Sequence, residues 1–458
     1  MRNNIKIAND FKFVCNFFSF SILSFHMTNK EKLERYMNRN IKLYPTYLAI
    51  TWDILFIWTI NTMYYTQVKG LTYSQAVSLE SVLTLFSCVL CLFVVKFMKK
   101  VTPIKSLRIA STSALVFLLM QIFATSYIHL VIAQAFLGFS FAITMIKSNF
   151  ILTHSLNAVN RDKEYQKVYG KGLSRYYVLE AICCIASSYI FDFNPDMVYW
   201  CASMIVCFAI LYSFFFVEPN KYQEKNVEID ARKTSTKKQK GSMNKQILIF
   251  VIMLIVFAFI LRATLGIASS NFRIFLQEMV NRDKLPLWAF GYIFAGMRIL
   301  ISFSTKYQFK YDLRYGVRCV LVFVSIALLT FLINSLIFLN LPMNMFTIFA
   351  IILFSYIQNS LRAPLNIFIN NYIKNCVNES KRETIFALRG MMEYLGHSAG
   401  ALLFSQLIGI NNNYGTANLL FVSIIAVPLL IVTFIFVRML IKVYANKNTI
   451  VKKEYVED

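Results

Sequence analysis

The sequence predicts an all-α polytopic membrane protein, with twelve transmembrane helices in two pseudo-symmetric six-helix bundles. Three observations carry this expectation. Of the 458 residues, 57% are hydrophobic and 15% charged, against about 45–50% and about 25% in an ordinary soluble domain. The excess is gathered into separate apolar runs, each near the ~20 residues needed to cross a hydrocarbon layer about 30 Å thick. One long polar stretch, Glu218 to Lys245, divides these runs six and six. It holds eight Lys or Arg against four acids and no apolar cluster, so it buries too little surface to offset its ordering entropy.

The expected spans are 46–66, 75–95, 107–126, 128–152, 172–192 and 196–217, then 246–278, 286–305, 315–338, 343–372, 384–408 and 415–441. Turn residues punctuate them, as at Lys69-Gly70, Thr102-Pro103, Asn194-Pro195 and Leu341-Pro342. The domains read as an N-terminal cytoplasmic arm (1–45), a first bundle (46–217), a basic linker (218–245), a second bundle (246–441) and a cytoplasmic tail (442–458). The apolar run 11–25 contains Lys12, is short for a span, and precedes no small-residue cleavage site. Met27-Thr-Asn-Lys-Glu-Lys reads as an ordinary cytoplasmic start, which sets residues 1–26 apart from the fold.

Orientation follows from the basic residues. Counted from Met27, the arm, the tail, the linker and alternate loops hold 36 Lys or Arg, while the opposite loops hold three: Lys69, Arg282 and Lys284. That asymmetry places both termini and the linker in the cytoplasm and the chain in the plasma (inner) membrane. The formal net charge of +24 is then topological, and no nucleic-acid partner is expected. The halves also echo each other: Lys171-Gly172 opens span five, and Arg389-Gly390, 218 positions later, lies at the start of span eleven.

On these grounds the chain resembles the major facilitator superfamily of secondary transporters from about residue 40 to 445. The resemblance rests on the six-plus-six plan, the basic central loop, and the basic turns after spans two and eight. Of the family's loop signature, only basic positions survive in Val95-Lys-Phe-Met-Lys-Lys-Val-Thr-Pro-Ile-Lys105, and Lys306-Tyr-Gln-Phe-Lys310 is equally degenerate. No glycine–proline motif occurs in Val178–Tyr189, which speaks against a drug/proton exporter. The resemblance implies that spans one, four, seven and ten line a central cavity, and that spans five and eight, like two and eleven, meet at the seam between halves.

Charges inside spans sort onto this plan. Each costs about 2.5–3.5 kcal/mol at the bilayer centre unless it meets a partner or a wet cavity. Asp53, Lys147, Arg262 and Arg362 fall in the four cavity-lining spans. Together they suggest one carboxylate and three cations around a small organic anion or zwitterion, with Asp53 coupling protons or forming an ion pair with Lys147. Glu80, Arg175, Glu180, Arg298 and Glu393 are expected as gate or seam ion pairs. Glu80 and Arg298, like Arg175 and Glu393, are 218 positions apart, and Glu180 and Arg298 come to similar depth. Arg273 and Glu278 read as snorkelling charges at a span end, His397 as a core histidine, and Asn149 as packing. One of Trp52 and Trp58 is expected to line the cavity while the other packs; Tyr64, Tyr65 and Trp288 suit an interfacial belt.

Other classes find no support. Cys88 and Cys91 form a lone Cys-x-x-Cys in an apolar helix, and four scattered histidines make no ligand spacing. No metal or cofactor is expected. Gly170 and Gly172 have no preceding strand, so nucleotide hydrolysis has no machinery. The function expected is gradient-driven transport of a small solute by a monomer in a lipid bilayer. The rival readings are a non-transporting membrane sensor, and a lipid-handling or enzymatic protein using Asp53 and His397 as acid and base.

Overall fold

The computed structural model describes residues 29–98, 101–218 and 245–454, except 267–271, 274, 278, 281–283, 316, 343, 378 and 412–413. Expectations for most of the linker, for Glu278 and for Arg282 lie outside these residues. Among the described residues there are helices and no strands. Ten helices among the described residues are long and apolar enough to cross a membrane. The two expected spans missing from that set are the first and the eleventh, and their exceptions are informative. Span eleven, Glu379–Asn411, carries Arg389, Glu393 and His397 along its length. Span one is broken.

Span one begins at Asn29, well before residue 46, and runs to Thr51. Met37, Ile41, Tyr44 and Leu48 recur at helical spacing and are buried, so residues 29–45 of the expected arm belong to a helix packed on spans four and five. Residues 52–56 leave the helix, and Phe56 sits at φ 73°, a left-handed conformation that costs a bulky residue about 1–3 kcal/mol. The helix resumes over Ile57–Met63 and closes in a π-helical turn, Tyr64–Val68. Span seven repeats the theme: Lys245–Leu261 passes into a π-helical turn at Arg262–Gly266. Span twelve extends from Tyr414 to Glu454, past the expected end at 441.

The remaining elements follow the expected order. Span two is Tyr73–Phe97, started by a capping box in which Gln75 N–H donates to Thr72 Oγ1 and Thr72 N–H to Gln75 Oε1. Spans three to six are Pro103–Phe123, Tyr127–Ala158, Tyr165–Phe193 and Pro195–Ser213. Spans eight to ten are Leu287–Tyr315, Arg318–Asn340 and Met345–Cys376.

Spans five and eight, and two and eleven, form the principal contacts between halves. Ser174 and Ser302 meet at 2.8 Å across the five–eight seam. At Gly396 an added Cβ would run into the Phe259 carbonyl, so span eleven approaches span seven only because that residue is glycine. Tyr64 and Tyr65 are fully buried rather than interfacial: the Tyr64 hydroxyl donates to Asp196 at 2.6 Å, and Gln134 donates to the Tyr65 hydroxyl at 2.9 Å. Trp288 is 53% exposed on the outer surface of the helices.

Candidate functional site

The two interruptions face one central cavity of about 210 Å³. Trp52, Asp53 and Trp58 line it from the break in span one, and Arg262 and Gly266 from the turn in span seven. Irregular backbone at membrane depth is tolerated only where it is buried in protein or lines a cavity, because lipid offers its amides and carbonyls no partners. The freed groups find such partners here. Ile54 N–H donates to Asp53 Oδ1 at 2.8 Å, and Arg362 Nη1 donates to the Leu265 carbonyl at 2.8 Å.

The halves close over the cavity at both ends. On the face away from the basic loops, Arg273 of span seven forms an ion pair with Glu80 of span two. It also donates to the Trp58 carbonyl at 3.4 Å, and its guanidinium lies 5.0 Å from the Trp58 ring centroid. On the basic face, Ile367 of span ten packs among Tyr44, Leu48 and Tyr169 of the first half, and Asn370 donates to the Tyr169 hydroxyl at 3.5 Å. Arg389 of span eleven holds that corner together by bonding Asn370, Asn366 (3.1 Å) and Glu393 (2.6 Å).

No family model and no curated protein matches the chain by sequence. Solved structures do match in shape. A point mutant of the nucleoside transporter NupG is 15% identical, covers 90% of this chain and all of its own, and superposes with a TM-score of 0.51. A bacterial homologue of the iron transporter ferroportin, in an outward-facing state, is 10% identical, covers 92% of this chain and all of its own, and reaches 0.60. The chain has the major facilitator fold.

Within that fold the charges sort into pairs and a remainder. Arg298 Nη2 of span eight lies 2.9 Å from Glu180 Oε1 of span five, with side chains only 7% and 3% exposed. Glu80 is held by Arg273 and Glu393 by Arg389. Among the described residues, Asp53, Arg262 and Arg362 line the cavity without an ion-pair partner.

Several sequence expectations are therefore corrected. Lys147 is buried but does not line the cavity. It stands two positions, about 200° of helix rotation, from both Met145 and Asn149, which do. Lys147 makes its own interactions inside the bundle. Glu80, expected in a gate or seam pair, is held by Arg273, which was expected to snorkel but turns inward and is buried. Arg175 and Glu393 form no inner gate: exposed Arg175 donates to Thr46 Oγ1 at 2.8 Å, while Glu393 takes the nearer arginine one turn before it. Trp52 and Trp58 both line the cavity, since the broken backbone removes the helical period that would separate them.

Residues that sequence reasoning missed come mostly from spans ten and eleven. Asn366 and Asn370 follow Arg362 at successive i,i+4 steps on one helix face, a visible signal. Arg389 was hidden by its place at the basic start of span eleven, yet it is 2% exposed. His397 lines the cavity, and its buried Nδ1 has no hydrogen-bond partner among the described residues.

Proposed function

We propose that this chain is a secondary active transporter that carries a small organic anion or zwitterion by alternating access, with protons as the coupling ion. One observation carries the reading. Spans one and seven break at the same central cavity and present Asp53, Arg262 and Arg362 there without ionic partners among the described residues. Paired discontinuous helices at a midplane cavity are how repeat-built transporters assemble a solute site. Three charges kept unpaired at this depth, each costing about 2.5–3.5 kcal/mol when uncompensated, are explained by a ligand that compensates them in turn.

Asp53 is the candidate proton carrier, because a carboxylate in a cavity of guanidiniums changes the charge balance of the site on protonation. The seams of spans five and eight and of two and eleven supply the surfaces on which the halves rock. The similarity in shape to a nucleoside transporter and to a homologue of an iron transporter supports the transport class and leaves the solute open. The basic loops assign both termini to the cytoplasmic side of the plasma membrane.

Proteoliposomes with an imposed pH gradient test this reading. Flux across a panel of organic anions and amino acids should be gradient-dependent in the native protein. Asp53→Asn should abolish the gradient dependence while leaving exchange of solute for solute, and Arg262→Gln should weaken solute affinity. A native protein with no flux of any tested solute, or an Asp53→Asn protein with undiminished gradient dependence, would overturn it.

A further inference from the structure

The space over the α-carbon of Gly266 is shared by two polar side chains, from spans seven and eleven. A Cβ built there would lie 2.9 Å from His397 Nδ1, 3.2 Å from Arg262 Cδ and 3.4 Å from Arg262 Nε. Arg362 reaches the same turn from span ten, through its bond to the neighbouring Leu265 carbonyl. His397 is 92% buried, and its Nδ1 has no partner among the described residues. Buried polar atoms are almost always bonded, so an unsatisfied one at a cavity wall points to a missing ligand.

We infer that this nest of Arg262, Arg362 and His397 over Gly266 seats a dianionic phosphate-type head group, with the rest of the ligand directing an amine toward Asp53. The inference rests on the transporter reading and narrows its substrate class. Charge balance supports it. The two guanidiniums without carboxylate partners among the described residues contribute two positive charges from spans seven and ten, and Asp53 contributes one negative charge from span one. A phosphate monoester carries about −1.5 to −2 near neutral pH and three strong acceptor oxygens, against three converging donors once His397 Nδ1 carries the ring proton. Arginine forks bind such oxygens bidentately, with more geometric specificity than a point charge. An ammonium at the far end completes the balance at Asp53. The cavity of about 210 Å³, the liquid volume of roughly seven waters, limits the ligand to a compact one. Glycine at 266 is required because a Cβ there would press on His397 Nδ1 and the Arg262 side chain and move both out of place.

Ligand binding to the purified full-length protein tests this directly, read by quenching of Trp52 and Trp58, which line the cavity. The probes are 2-aminoethyl phosphate, inorganic phosphate, glutamate and acetate. 2-Aminoethyl phosphate should bind at least tenfold tighter than the other three. Gly266→Ala and His397→Leu, each checked for an unchanged thermal unfolding midpoint without ligand, should each weaken it at least tenfold. Asp53→Asn should remove its advantage over inorganic phosphate while sparing inorganic phosphate itself. If glutamate or acetate binds as tightly, with the same dependence on Arg262 and Arg362, the phosphate seat is refuted and the anion-transporter reading stands. Unaltered binding in both Gly266→Ala and His397→Leu refutes the seat alone. No binding by any probe, together with no gradient-driven flux, overturns seat and transporter together.

Discussion

The Glu180–Arg298 pair offers the sharpest energetic test, because it joins span five of one half to span eight of the other. Both side chains are almost fully buried, 3% and 7% exposed, at 2.9 Å. Removing one partner from such a pair strands the other charge, at a cost of about 3–5 kcal/mol. Removing both replaces two charges by two amides and leaves none stranded, so most of that cost should vanish. Glu180→Gln and Arg298→Gln should therefore each destabilise by about 3–5 kcal/mol, and the double variant should recover at least half of the summed loss. Equilibrium unfolding in SDS, followed by tryptophan fluorescence, yields the four free energies of the cycle. A coupling energy below about 0.5 kcal/mol, the level expected of independent sites, would refute the claim that this pair is a structural tie between halves.

The packing and the loops provide further tests. Gly396→Ala drives a methyl group into the Phe259 carbonyl and should destabilise by about 1–3 kcal/mol, the usual cost of overpacking, in the same SDS assay. Arg273→Ala should cost about 3–5 kcal/mol by stranding half-buried Glu80. Arg175→Ala should stay within about 0.5 kcal/mol, because the side chain is exposed and its hydrogen bond goes to the Thr46 hydroxyl rather than to a buried charge. In the loop after span four, Arg161 donates twice to Glu164, at 2.7 Å each, and this holds the Glu164 carboxyl below its usual range. Its folded value is the lower one, so its stabilisation is full above the unfolded carboxylate range and is lost as pH falls through the folded value. The pair is about two-fifths exposed, so a double-mutant cycle should give about 0.2–1 kcal/mol at pH 7 and nothing at pH 2.

Much of the fold was legible because the bilayer imposes a length on every crossing. Apolar runs of span length, divided by one polar linker, were enough to give the number and order of the helices. The eleventh span was legible too as an apolar run over 384–408, although its charges exclude it from the ten described helices that qualify on hydropathy. Span boundaries were less so. The helix from Asn29 hides its buried face among Lys30, Lys32, Arg35 and Arg39, which read as a soluble arm.

What only the tertiary structure decided is which charges meet. Asp53, Arg262 and Arg362 could be placed at the cavity from the spans they occupy, since membership of a lining helix is a one-dimensional property. Rotation about each helix axis is not. It turned Lys147 away from the cavity, brought Arg273 inward to Glu80, and gave Glu393 to Arg389 rather than to Arg175. The break at Trp52–Phe56 carries no glycine or proline to announce it. It exists because the surrounding helices and the cavity satisfy backbone groups that the local sequence would otherwise have kept in a helix.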